Sequence, residues 1–208
     1  MKDEPTGFSK NEKFEEDMKK KKKKNLYGGP VSVAVFDIDL FMAVNTNYGH
    51  ETGDEVIRVL GDVLNAVFSG KTDQVYRLGG DEFAVIQDGI EKEQAFLNME
   101  SARKNFESEK RLDKINPHPT ISAGVAAYPD DGATKQEVLR KADDALFRGK
   151  QNGRNKVMLA REEKKIPKTS HYTQGQLERL SVLSGKEGVG EAVLLREALD
   201  DLLKKYSS

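Results

Sequence analysis

The stretch Arg77-Leu78-Gly79-Gly80-Asp81-Glu82-Phe83 places a glycine pair and two acids between two short apolar runs, residues 74–78 and 83–86. Glycine pairs are favoured where a chain must reverse between strands, so the segment reads as a β-hairpin with carboxylates at its tip. Upstream, Val31-Ser32-Val33-Ala34-Val35-Phe36 is a β-branched run behind a Gly29-Pro30 stop, the pattern of a strand buried on both faces. Asp37 then sits at a strand's carboxyl end. If that strand and the hairpin are sheet neighbours, Asp37 converges with Asp81 and Glu82. Such a carboxylate set suits Mg²⁺, which takes a few carboxylates, water and substrate phosphates. Taken alone, the tip has a plainer reading, because turns favour glycine and aspartate for conformational reasons.

Outward from this centre, Val56, Val59, Leu60, Val63, Leu64, Val67 and Phe68 repeat at helical spacing. Beyond the hairpin the pattern predicts a helix near residues 91–108, a strand near 120–127, a helix near 135–150 stopped by Gly153, and a last strand at 156–159. Helical spacing is weak before residue 18, and the six lysines at 19–24 read as a helix end that complements the backbone dipole. The alternation makes an α/β layered domain, with five predicted strands, over residues 1–160. A polar, proline-ended linker at 161–167 follows, and a second module occupies 168–208.

Length and composition bound the function. A chain of 208 residues fits one ordinary core plus an appendage. Basic and acidic side chains nearly cancel, 34 against 35, so any polyanion site must be local. The chain has no cysteine and three scattered histidines, which excludes a thiol nucleophile and leaves oxygen ligands for any metal. No apolar run approaches the ~20 residues of a membrane helix, and the amino terminus lacks a signal-peptide core, so a cytoplasmic protein without a membrane partner is expected.

The hairpin string resembles the signature of the GGDEF diguanylate cyclases, and other matches follow at the family's spacing. Asp3-Glu4-Pro5-Thr6-Gly7-Phe8 looks like its opening motif, Phe36-Asp37-Ile38-Asp39-Leu40-Phe41 like its metal-bearing strand end, and Asn45, Tyr48-Gly49-His50 and Gly53-Asp54 keep register. Ala142-Asp143-Asp144-Ala145-Leu146-Phe147 and Lys150-Gln151-Asn152-Gly153-Arg154-Asn155 resemble its last helix and exit. The resemblance implies a mostly antiparallel sheet flanked by helices and condensation of two GTP into cyclic di-GMP and two pyrophosphates. By position, Asp37, the Ile38 carbonyl and Asp81 would hold Mg²⁺ or Mn²⁺, and Asp81 or Glu82 would help deprotonate the 3′-hydroxyl. Asn45 and Asp54 would read guanine, Phe41 would line the substrate site, and Lys150 and Arg154 would meet phosphates. Gly79 and Gly80 would let triphosphate approach the backbone. Asp54 has a plainer reading as a helix cap or dipole-compensating residue, Lys150 and Arg154 one as dipole-compensating residues, and His50 and His118 read as loop or structural residues.

Two departures stand out. Met42 replaces the family lysine that reaches the triphosphate, a loss of ~1.5–3 kcal/mol of charge-assisted contact. Gly70-Lys71-Thr72-Asp73 lacks the arginine of the family's product-binding motif, which implies weak product inhibition.

In the second module, residues 168–173 read as a short alternating strand. Two amphipathic helices follow, one carrying Leu177, Leu180 and Leu183, the other Leu195, Ala198, Leu199, Leu202 and Tyr206. The order resembles the ribbon-helix-helix DNA-binding family, which pairs its strands across a two-fold axis and lays them in the major groove. Lys168, Ser170 and Tyr172 would face duplex DNA, aided by Lys164 and Lys165, and the module would hold a homodimer. A plain dimerisation module is the alternative, and a DNA-binding regulator whose first domain only senses GTP or cyclic di-GMP is the alternative for the whole chain.

Overall fold

The computed structural model describes residues 2–24, 29–69, 73–161 and 168–206. Gly70, Lys71, Thr72, Lys164, Lys165, most of the expected linker and the side chains of residues 19–24 lie outside the described residues. The chain separates into two compact units, Met1–Glu162 and Glu163–Ser208.

The first unit is built on β2 (Val31–Ile38), the expected doubly buried strand. Its even-numbered residues Ala34, Phe36 and Ile38 join one core cluster, with Val56, Leu60 and Leu64 of α3 (His50–Val67) and Met99 and Phe106 of α4 (Lys92–Glu107). Its odd-numbered residues Val31, Val33 and Val35 join the other, with Phe14 and Met18 of α1 (Asn11–Lys24) and Val138 and Ala142 of α5 (Lys135–Gln151). A helix layer therefore covers each face, and strand alternation points Asp37 toward the α5 side.

The sheet has six strands, in the order β1-β3-β4-β2-β5-β6. The hairpin strands β3 (Asp73–Gly79) and β4 (Glu82–Asp88), then β2 and β5 (Ile121–Tyr128), run antiparallel. Parallel pairing brings β6 (Val157–Leu159) to one edge and β1 (Ser9–Lys10) to the other. The sixth strand corrects the expected five: β1 is two residues long and has no periodicity to read. Sequence reading also passes over α2 (Phe41–Tyr48), which buries Val44 alone. It undervalues α1, whose buried Phe14 and Met18 are one turn apart.

The second unit holds α6 (Gln174–Glu187), opened by a Thr173–Gln176 capping box and closed by left-handed Gly188, and α7 (Glu191–Tyr206). The expected strand at residues 168–173 is not paired in the single chain, because a strand needs a neighbouring backbone to take its hydrogen bonds. Tyr172, Leu177, Val182, Leu183, Leu195, Leu199, Leu202, Leu203 and Tyr206 all remain exposed, and α6 buries no residue.

One contact sets how closely α5 lies on the sheet. A β-carbon on Gly124 of β5 would fall 1.9 Å from the Ala142 carbonyl oxygen and 2.4 Å from the Leu146 nitrogen, both backbone atoms of α5. Gly124→Ala should therefore force the helix outward and cost about 1–3 kcal/mol. A melting temperature lower by several degrees in thermal unfolding is the expected result; an unchanged value would show that α5 yields freely.

Candidate functional site

The strand-end acid and the hairpin tip do meet. Asp37 pairs in register with Glu82 across the β2–β4 ladder, and the Ile38 N–H donates to the Asp81 carbonyl at 3.3 Å. Directly opposed residues share a sheet face, so Glu82 starts on the side of Asp37, although its own side chain is exposed.

Asp37 is only 7% exposed. Burial pushes its carboxyl up to about 6; Lys150 opposes that rise by hydrogen bond and charge, while Asp81 and Asp39 reinforce it. Lys150, in the last turn of α5, forms an ion pair with Asp37 Oδ2. The other oxygen, Oδ1, is buried without a hydrogen-bond partner. Asp39, by contrast, is saturated: Thr120 and Ser122 hydroxyls donate to it at 2.8 Å each and the Asn155 N–H at 3.0 Å. Its oxygens are thus engaged within the fold.

Among the described residues no group of three or more His, Asp or Glu gathers as a metal cage. A small cation that keeps water and phosphate ligands needs fewer protein carboxylates than that. The unpartnered Asp37 Oδ1, beside Asp81 and the strand-end carbonyl, fits such an ion.

A cleft of about 410 Å³ opens beside the hairpin tip, lined by Phe41, Met42, Asn45, Thr46, His50 and Asp81. Asn45 lies against Gly53, where a β-carbon would sit 1.9 Å from Asn45 Oδ1 and 3.3 Å from the Phe41 ring. Asp54, the next residue, is exposed; it stands inside α3, whose N-cap is Gly49, so the capping alternative does not hold. Met42 is 82% exposed at the cleft. His50 lines it too, where sequence reading expects only a loop residue.

The two expected phosphate-facing cations part company. Lys150 lies on Asp37, whereas Arg154, at φ +60°, lines a second cleft of about 310 Å³ with Asp39, Tyr48 and His118. The His118 ring nitrogens face the Pro119 and Glu109 carbonyls, in keeping with a structural role. Lys168, Ser170 and Tyr172 are exposed ahead of α6.

Gly79 and Gly80 face open space, and Gly80 has φ +50°, where a β-carbon is strained. The tip is held from outside. Arg77 donates to the Gly80 carbonyl at 2.9 and 2.6 Å and to both oxygens of Asp3 at 3.0 Å, with its guanidinium over the Phe83 ring. Asp3 and Arg77, which fall in separate sequence motifs 74 residues apart, form one clamp that no local pattern signals. Arg103, which reaches Asn155 Oδ1 at 2.7 Å, is likewise hidden from the sequence, for α4 carries no local signal of that role.

A buried strand-end carboxylate paired with a helix-end lysine, beside a glycine-rich acidic hairpin, sets the class of α/β domain to which the first unit belongs. Residues 1–156 match the model described as "Diguanylate cyclase, GGDEF domain", and the chain belongs to that family. Diguanylate cyclase A of Treponema denticola is 34% identical over 134 residues, 63% of this chain and 35% of that protein. A diguanylate cyclase of Vibrio cholerae is 33% identical over 135 residues, 64% and 41% respectively. The chain thus spans well under half the length of these curated relatives. Among solved structures, the GGDEF domain of DgcB from Caulobacter crescentus in complex with c-di-GMP superposes with a TM-score of 0.69 at 28% identity, covering 76% of this chain and 95% of that one. The active GGEEF domain of a diguanylate cyclase from Vibrio cholerae gives 0.68 at 27%, covering 75% and 99%. Residues 164–207 match a second model, described as "Ribbon-helix-helix domain". No helix among the described residues is long and apolar enough to cross a membrane.

The Asp3–Arg77 clamp carries a pH signature. Burial raises the Asp3 carboxyl, but the Thr6 hydrogen bonds and Arg77 outweigh it and hold the group below its ordinary value. A depressed carboxyl contributes stability that is complete above about pH 3.9 and is lost as pH falls through the folded value. Asp3→Asn should therefore lower the urea midpoint at pH 7, with the gap from the wild type closing below about pH 3.9. A gap independent of pH would remove the charge contribution.

Proposed function

We propose that the chain is a diguanylate cyclase, joining two GTP molecules into cyclic di-GMP with release of two pyrophosphates. Each 3′-hydroxyl attacks the α-phosphate of the nucleotide on a facing domain. The single observation that carries this reading is Asp37: a buried carboxylate at a strand end, one oxygen unpartnered, beside Asp81 at the hairpin tip. Asp37, the Ile38 carbonyl and Asp81 would hold Mg²⁺ or Mn²⁺, which when bound offsets phosphate charge during phosphoryl transfer. Asp81 or Glu82 takes the hydroxyl proton. Gly79 and Gly80 leave the backbone open to triphosphate, Asn45 and Asp54 read the donor edge of guanine, and Phe41 walls the cleft. Lys150 and Arg154 meet phosphates.

Residues 1–160 form the catalytic domain, 161–167 the linker and 168–208 the second module. That module holds a homodimer through a two-stranded ribbon, which the exposed leucines of α6 and α7 favour. Lys168, Ser170 and Tyr172 would then face duplex DNA. One observation favours a second reading: Met42 leaves the cleft without the family's lysine, as in a regulator that senses GTP or cyclic di-GMP without turnover.

Incubation with GTP and Mg²⁺, followed by chromatography, separates the two. The cyclase reading expects cyclic di-GMP and pyrophosphate, with Asp81→Asn lowering turnover by on the order of 10²-fold at unchanged melting temperature. Absence of released pyrophosphate favours the regulator.

The tether makes a separate prediction. Holding two domains together keeps their effective concentration near the millimolar range. Ending the chain at Ala160 should make specific activity collapse on dilution while the full chain retains it; equal behaviour of the two would remove the module from catalysis.

A further inference from the structure

Lys150 is read as a phosphate ligand, yet in this chain its ammonium rests on the carboxylate that would hold the metal. We infer that Lys150 is the resident counter-cation of Asp37, so that a divalent cation and the ammonium compete for one carboxylate. Binding of the ion frees Lys150 for phosphate. The identity of the phosphate rests on the cyclase reading above, while the exchange concerns only the chain's own groups.

Three observations carry it. First, an ionised Asp37 is costly without positive charge: it is buried and feels the negative charge of Asp81 and Asp39. Second, Lys150 satisfies one oxygen only, since Oδ1 stays buried and unpartnered, so the lysine is an incomplete substitute for an ion. Third, the lysine is free to leave. Its side chain is one-third exposed, on a flexible stem in the last turn of α5 before Gly153. Arg154 does not stand in for it, since Arg154 lines the other cleft. The consequence is linkage. Whatever draws Lys150 from Asp37 raises ion affinity, and the ion raises phosphate affinity by the same factor.

The test is Mn²⁺ binding to the full, nucleotide-free chain, followed by the electron paramagnetic resonance signal of free Mn²⁺. Lys150→Gln should bind Mn²⁺ about ten-fold tighter than the wild type. Lys150→Arg, which keeps the charge on Asp37, should stay near the wild-type value, and Asp37→Asn should abolish binding. Arg154→Gln should change affinity by less than about two-fold, since Arg154 lines the other cleft and, among the described residues, makes no ion pair with Asp37. Thermal unfolding gives a second readout: Lys150→Gln should melt lower than the wild type without Mn²⁺ and recover with it. Unchanged or weaker binding in Lys150→Gln, still dependent on Asp37, overturns the exchange and leaves the cyclase site standing. Equal tightening in Arg154→Gln also overturns it, by showing a general field rather than a shared ligand. Absence of Asp37-dependent binding in every variant overturns the exchange and the metal site together.

Discussion

A carboxylate carried out of a buried strand must find positive charge, and much of the first unit is arranged around that demand. Because β2 is covered on both faces, Asp37 emerges with little water around it, and ionising it there is costly without a cation. The cation comes from the end of α5. A lysine stem spans only a short gap, so α5 must lie close on the sheet, which is what Gly124 permits and what small Ala142, Ala145 and Gly149 continue along the helix. A packing choice in β5 thus decides an electrostatic event at the end of β2.

The hairpin tip obeys a different constraint. Its glycines leave the backbone bare toward solvent, which suits an approaching ligand but gives the turn no side chain with which to fix itself. Rigidity is supplied by Arg77, whose fork grips the Gly80 carbonyl on one side and Asp3 on the other. Both members of that ion pair are mostly shielded, with side chains 14% and 12% exposed, so one guanidinium nitrogen shared between both Asp3 oxygens outweighs an ordinary surface bridge. The amino-terminal segment is itself seated by Thr6, which packs against Gly61 of α3. A loop that is mobile by composition is therefore positioned by residues far from it in the chain.

These two arrangements explain what was legible beforehand. A doubly buried strand, a glycine-acid hairpin and a long amphipathic helix each announce themselves locally, and with them Asp37 and Asp81. The convergence of those acids needed one further fact, that β4 neighbours β2, and the layered alternation made that pairing natural. What stayed hidden was relational. The two residues of β1 exist as strand only because β3 offers an edge, and α2 carries one buried side chain in eight residues. Arg103 and Asn155 meet through an α4–turn contact that no spacing encodes. The divergence of Lys150 and Arg154 is of the same kind: both follow the family motif, but Lys150 stays on the last turn of α5 and reaches Asp37, whereas Arg154 lies past it in the left-handed turn at Gly153, Arg154 and Asn155 and lines a separate cleft.

The unpaired segment at residues 168–173 and the bare leucines of α6 and α7 belong to one argument. Two short helices with only each other to pack on leave much of their apolar stripes in water, and a segment without a paired strand leaves its backbone groups to solvent. A second copy of the same unit answers both deficits at once, since a two-fold axis pairs strand with strand and stripe with stripe. On the proposed chemistry the first unit has a matching deficit: one site holds one nucleotide, and a bond between two nucleotides needs a second site opposite. On the proposed reading, two-fold symmetry would serve the chain twice, once for the apolar stripes and once for the reaction.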